Sequence, residues 1–146
     1  MIYVGIDVAS TKHDIVILNE LGQSFKKAFS IRNDLDGYKK LLSEIGSAKE
    51  FFNDLNVRIG LESTGHYSRN ILHFLILARF EVMFINPLLT NMDRKATSVR
   101  KTKTDSIDAN TICMFLIRNQ NDLLKSVGHS NADITKRHYF SMKKNK

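Results

Sequence analysis

Ile2, Val4, Ile6 and Val8 alternate with Tyr3, Gly5 and Asp7, the period of two that predicts a strand with one face more apolar than the other. Asp7 falls on the less apolar face. A second run, Ile15 to Leu18, and a third around Phe25, Phe29 and Ile31 are joined by Asn19-Glu20-Leu21-Gly22-Gln23, a short link suited to an antiparallel hairpin. Leu35, Tyr38, Leu41, Leu42 and Ile45 then recur at helical spacing. They predict a helix capped by Asn33 or Asp34 and stopped by Gly46, with residues 47–56 as a connector. Val57, Ile59 and Leu61 alternate with Arg58, Gly60 and Glu62 as a fourth strand, whose carboxylate has the same parity as Asp7 in the first. Thr64-Gly65 leads into a helix with Tyr67, Ile71, Phe74, Leu75 and Ala78 on one stripe, and Glu81 to Ile85 gives a fifth strand closed by Asn86-Pro87. Strand, helix, strand is a parallel crossover. The expected class is therefore α/β: a mixed five-stranded sheet, its first three strands an antiparallel meander, with helices on the faces.

From Leu88 to Thr104 the pattern weakens and becomes basic. A last helix is expected from near Asp105, capped by Thr102 or Thr104. Asp105, Asp108, Ala109, Ile112, Phe115 and Leu116 fall within one stripe of it, so both carboxylates would sit one helical turn apart and point inward. Ile107, Met114 and Ile117 lie off that stripe, which suggests a helix covered on two sides or awaiting a partner.

The chain has 146 residues, 42% hydrophobic and 25% charged, which fits one globular domain and excludes disorder as the overall reading. Cys113 is the one cysteine and cannot form an internal disulfide. The start carries neither a basic leader nor a long apolar run, so a cytoplasmic protein is expected. The longest apolar stretch, Ile71 to Ala78, is interrupted by His73 and falls far short of the ~20 residues of a membrane span. Twenty-two basic against 15 acidic residues give +7, an excess that favours polyanionic partners. Much of it sits in Arg94, Lys95, Arg100, Lys101 and Lys103, and again in the tail, where the ordinary reading is a solvated, frayed end.

The acids are more informative. Gly5 and Gly60 each lie two residues before an acid, on the same face, where a missing side chain leaves room for something to approach. A lone Asp or Glu ending a strand is usually a cap or a surface charge, and Asp105 alone reads as a first-turn acid favoured by the helix dipole. Together, Asp7, Glu62, Asp105 and Asp108 make independent demands that one sheet edge with a helix packed across it would satisfy. Like charges at ~4 Å in an effective dielectric near 20 repel by about 4 kcal/mol, so such a cluster calls for a divalent cation. Carboxylate oxygens suit Mg²⁺, with Mn²⁺ as substitute, and a missing Cys/His cluster argues against zinc. Two such ions, roughly 3.5–4 Å apart, would activate a water or hydroxyl and stabilise the leaving oxygen of a phosphodiester.

The segments Met1 to Ala9, Gly60-Leu61-Glu62-Ser63-Thr64-Gly65-His66-Tyr67, Ile85-Asn86-Pro87 and Arg100 to Ala109 closely resemble the amino-terminal domain of the DEDD-type transposases of the insertion sequence one-hundred-ten family. The resemblance implies a ribonuclease H-like fold of the RuvC type over residues 1–124, followed by a basic tail over 125–146. It implies that Asp7, Glu62, Asp105 and Asp108 are an acidic tetrad holding Mg²⁺. DNA recombination guided by an element-encoded RNA in a bacterial or archaeal host, by a homo-oligomer, is implied as well. Family members are longer, with a second domain that supplies a catalytic serine and that nothing here matches, so the chain reads as a fragment or truncated copy. Gly128-His129-Ser130 and Tyr139 faintly resemble the closing motif of tyrosine recombinases, without that family's upstream arginines.

Arg94, Lys95, Arg100, Lys101 and Lys103 precede the paired aspartates, where they would clamp phosphates flanking a scissile bond. Tyr67 and His66, next to Glu62, would stack on a base or donate to a phosphate, against core packing for Tyr67; His13 and His73 read as structural or exposed. Two other functions compete. Gly5 to Thr11 also resembles the first phosphate-binding hairpin of actin-like kinases and ATPases, for which this chain is short and glycine-poor. A catalytically silent nucleic-acid-binding module derived from a transposase is the other.

Overall fold

The computed structural model of the chain describes residues 1–62, 66–85 and 108–120. The first alternating segment is β1 (Ile2–Asp7), against which β2 (Lys12–Asn19) returns antiparallel, with β3 (Phe29–Arg32) antiparallel to β2. Helix α1 (Leu35–Phe52) leads to β4 (Val57–Glu62), parallel to β1, and α2 (Arg69–Leu77) leads to β5 (Glu81–Ile85), parallel to β4. The sheet order is β3-β2-β1-β4-β5. This is the expected mixed sheet, and a further helix, α3 (Ala109–Arg118), crosses it.

The period of two sorts the sheet into two cores. Ile2, Val4, Ile6, Ile15, Ile17, Ile59 and Leu61 face α1 and α2, joined by Leu41, Ile45, Ile71, Leu72 and Leu75. Tyr3, Val16, Leu18 and Ile85 face the other way and take Ala109, Ile112, Cys113 and Leu116 of α3. Burying each side against helices is what makes the sheet stable on both faces.

Four local expectations are corrected. Gly46 does not stop α1, and residues 47–52 are helical rather than a connector. An exposed glycine costs a helix about 1 kcal/mol, and burial of Ala48 with partial burial of Phe52 outweighs that. The helix ends instead at Asn53, in the left-handed conformation that closes helix C-termini (φ 52°, ψ 50°). At the other end Asp34 is the cap, accepting from the Gly37 N–H. Strand β2 starts three residues earlier than its apolar run, at Lys12, because pairing and not hydrophobicity sets its limit. Tyr67 is not on the α2 stripe. It lies in a turn before the helix and is 46% exposed. Lastly, α3 begins at Ala109 with Asp108 as its N-cap in an extended conformation (ψ 167°), not near Asp105 under a threonine cap. Asp108 is therefore outside the helix. Thr102, Thr104 and Asp105 themselves lie outside the described residues, as does the segment from 121 onward with Tyr139.

Candidate metal centre and nucleic-acid interface

β1 and β4 run parallel with Ile6 beside Leu61, and the same register carried one residue further sets Asp7 beside Glu62 at the C-terminal edge of both strands. Alternation places both on the face covered by α3, where Tyr3 and Gly5 also lie. The strand parity read from sequence is thus realised in space.

The two glycines explain how the third element arrives. A Cβ at Gly5 would lie 2.2 Å from the Ala109 carbonyl oxygen and 2.9 Å from the Cys113 nitrogen. At Gly60 it would lie 2.9 Å from side-chain ends of Ile85 and Leu116. What approaches Gly5 is the backbone of α3 itself, and what approaches Gly60 is side-chain ends from α3 and β5. Seated over Gly5, the helix carries its N-cap, Asp108, to the edge where Asp7 stands. Asp108 is exposed, and its Oδ1 accepts from the Thr111 N–H at 2.7 Å, an ordinary cap.

A fourth acid at this edge comes from β2. Asp14 is the register partner of Asp7, and its Oδ1 accepts from the Ser30 hydroxyl at 2.6 Å. Sequence reasoning missed it because it read β2 from Ile15. The alternation of His13, Ile15 and Ile17 against Asp14, Val16 and Leu18 was the available signal. The carboxyl of Asp7 is pushed up to about 6, by burial first, then by the negative charges of Asp14 and Asp108. Glu62 is 6% exposed. A cleft of about 230 Å³ opens beside these groups, lined by Asp14, Val16, Ala28, Ser30, Asp108 and Asn110 among others.

The remaining predicted site residues divide. His66 and Tyr67 are both exposed, their ring centroids 4.6 Å apart, in the turn before α2. Asp105, Arg94, Lys95, Arg100, Lys101 and Lys103 lie outside the described residues. Among the described residues, no three His, Cys, Asp or Glu side chains stand close enough to hold one ion. His13 is fully buried, its Nδ1 accepting from the Ala9 N–H at 3.1 Å, and His73 is exposed, as expected of structural and surface positions. Cys113 is buried against the Tyr3 carbonyl, and burial pushes its thiol up to about 12, so it packs and does not react. No described helix is long and apolar enough to cross a membrane.

Comparison with known proteins bears on the family and the fold. The profile of the DEDD family of insertion sequence one-hundred-ten, described as transposase, matches residues 4–136. A pilin gene-inverting protein of Moraxella bovis is 27% identical over 107 residues, which are 73% of this chain and 31% of that protein. The chain therefore spans about a third of the length of that curated relative. Among solved structures, RuvC of Thermus thermophilus aligns with a TM-score of 0.50 at 12% identity, over 83% of this chain and 96% of the other. RuvC of the same organism in complex with a Holliday junction substrate gives 0.49 at 12% identity, over 83% and 95%. The likeness to RuvC is one of fold, the ribonuclease H-like sheet.

Proposed function

Because this chain belongs to the DEDD transposase family, we propose that it is the RuvC-like domain of a DNA transposase or recombinase and that Asp7, Glu62, Asp105 and Asp108 hold Mg²⁺. The observation that carries the reading is the parallel register of β1 and β4, Ile6 beside Leu61, after which Asp7 and Glu62 end the two strands at the same sheet edge. The raised carboxyl of Asp7, with Asp14 and Asp108 as its charged neighbours, supports it, since surplus negative charge is what a divalent cation relieves. The donor set consists of carboxylate oxygens, which fit Mg²⁺ or Mn²⁺. Once bound, such ions supply Lewis acidity and an activated water or hydroxyl for cleavage and strand transfer.

The protein's own part is placement. Asp7 and Glu62 are held by adjacent strands, the most rigid support the fold offers for ligands. Arg94, Lys95, Arg100, Lys101 and Lys103 hold the phosphates that flank the scissile bond, and the exposed His66 and Tyr67 contact a base or sugar. In this reading residues 1–124 are the RuvC-like unit, 125–146 a basic tail, and the partners are DNA, an element-encoded guide RNA and further copies of the chain. The capping bond of Asp108 favours a second reading, a nucleic-acid-binding module without catalysis.

Titration calorimetry with Mn²⁺ separates the two. The parent chain is expected to bind Mn²⁺ and Asp7→Asn to lose that binding while keeping its circular dichroism spectrum. Equal binding by both proteins overturns the site assignment. Salt-dependent DNA binding that survives removal of all four acids, with no Mn²⁺ binding by the parent, favours the silent module.

A further inference from the structure

Next to the acidic edge, the sheet carries a cross-strand pair of like charge that its own packing does not require. Lys12 of β2 and Arg32 of β3 are register partners. They share a face with the next pair of the same parity, Asp14 and Ser30, and with Val16 and Leu18, which pack beneath α3. Lys12 and Arg32 are both exposed, the Arg32 side chain to 82%. Like charges placed directly opposite on paired strands destabilise them. Asp34 offsets this in part through a 2.9 Å ion pair with Arg32, but the pair is exposed and worth little. Among the described residues Lys12 makes no ion pair. The turn between β1 and β2 is tied down by Asn33, whose backbone N–H donates to the Thr11 carbonyl at 2.9 Å and whose side chain donates to the Ser10 carbonyl at 3.0 Å. The two cations therefore stand on an ordered support.

We infer that Lys12 and Arg32 together grip a backbone phosphate of the nucleic-acid strand that passes over the acidic edge. This deepens the function proposed above and rests on it for the course of that strand. Lys12 lies two residues along β2 from Asp14, about 7 Å, and Asp14 is paired with Asp7. The phosphate held is thus a neighbour of the one to be cut. The cleft beside Asp14 and Asp108 lies on this same face, and Ser30 and Asn110 offer it a hydroxyl and an amide suited to a sugar. An acidic site repels the strand it must cut, so a cationic anchor close by offsets that repulsion.

The test uses the whole 146-residue chain and a fluorescent DNA duplex, with anisotropy read in EDTA between 50 and 200 mM salt. The double variant Lys12→Ala/Arg32→Ala is expected to bind roughly tenfold more weakly, with the slope of log K against log salt reduced by about 1. Lys39→Ala/Lys49→Ala, which removes two charges from α1 on the opposite face, is expected to change neither. Unchanged affinity and slope in the first variant, an equal loss in the second, or no DNA binding by the parent overturns the inference. Lys12 and Arg32 are exposed and their like charges oppose pairing, so the double variant should melt no lower than the parent. Mn²⁺ calorimetry on the same proteins keeps the two claims apart: the cation variant retains metal binding and Asp7→Asn loses it. A parent that binds no Mn²⁺ but still shows the Lys12 and Arg32 effect refutes the metal site alone.

Discussion

Replacing Asp7 with asparagine is expected to stabilise the metal-free protein while removing its response to divalent metal. The Asp7 carboxyl stands at about 6 against an ordinary 3.8. A rise of about 2 units corresponds to about 3 kcal/mol at ~1.4 kcal/mol per unit. Asp7 is only half-buried, and screening by solvent lowers the figure to about 1–2 kcal/mol. Because the folded carboxyl holds its proton to higher pH than the unfolded one, this group's contribution is fully favourable below about pH 4 and is lost as pH rises through about 6. At pH 7.5 the parent bears the whole cost of the charge and the asparagine variant bears none. The variant should therefore melt about 3–8 °C higher in EDTA at pH 7.5, and the difference should close near pH 4. Added Mn²⁺ should raise the parent's melting temperature and leave the variant's where it was. Circular dichroism melts at the two pH values decide the matter. A variant that melts at or below the parent at pH 7.5, or a difference of the same size at pH 4, refutes the reasoning.

Gly5→Ala should destabilise by about 3 kcal/mol or more in urea unfolding, because its Cβ meets backbone atoms of α3 that cannot yield, whereas Gly60→Ala meets side-chain ends and should cost about 1–2 kcal/mol. A reversed order would mean that α3 does not seat over Gly5. Gly46→Ala should stabilise by up to about 1 kcal/mol, since the position lies in an exposed helix interior with open space around it; a loss of stability would contradict the extension of α1 to Phe52. Asp34→Ala should cost about 1 kcal/mol through loss of the α1 cap, and an unchanged urea midpoint would show that the bond to the Gly37 N–H contributes nothing.

The strands were legible because alternation is a local property, and with it came the shared face of Asp7 and Glu62. The limits of the helices were less so. Gly46 carries a stop signal that is genuine locally, but the burial that overrides it involves Ala48 and Phe52 meeting residues distant in the chain. The same applies to Asp108. A stripe drawn at helical spacing takes in residues 105 and 108 regardless of where the first turn begins, and the start is set by the side chain of Asp108 capping Thr111. Asp14 escaped notice because β2 was read from Ile15; alternation extended through His13 would have set its face, while its pairing with Asp7 depends on strand register. Gly5 and Gly60 were read correctly as places of close approach, yet only packing identifies what approaches: the backbone of α3 at Gly5, and side chains of α3 and β5 at Gly60.

The most direct examination of the central claim is an anomalous diffraction map from crystals soaked in Mn²⁺. The account predicts a peak at coordination distance, about 2.1–2.2 Å, from carboxylate oxygens of both Asp7 and Glu62, with an aspartate from position 105 or 108 completing the shell. Strong peaks found only elsewhere, or none beside those two strand ends, would contradict it.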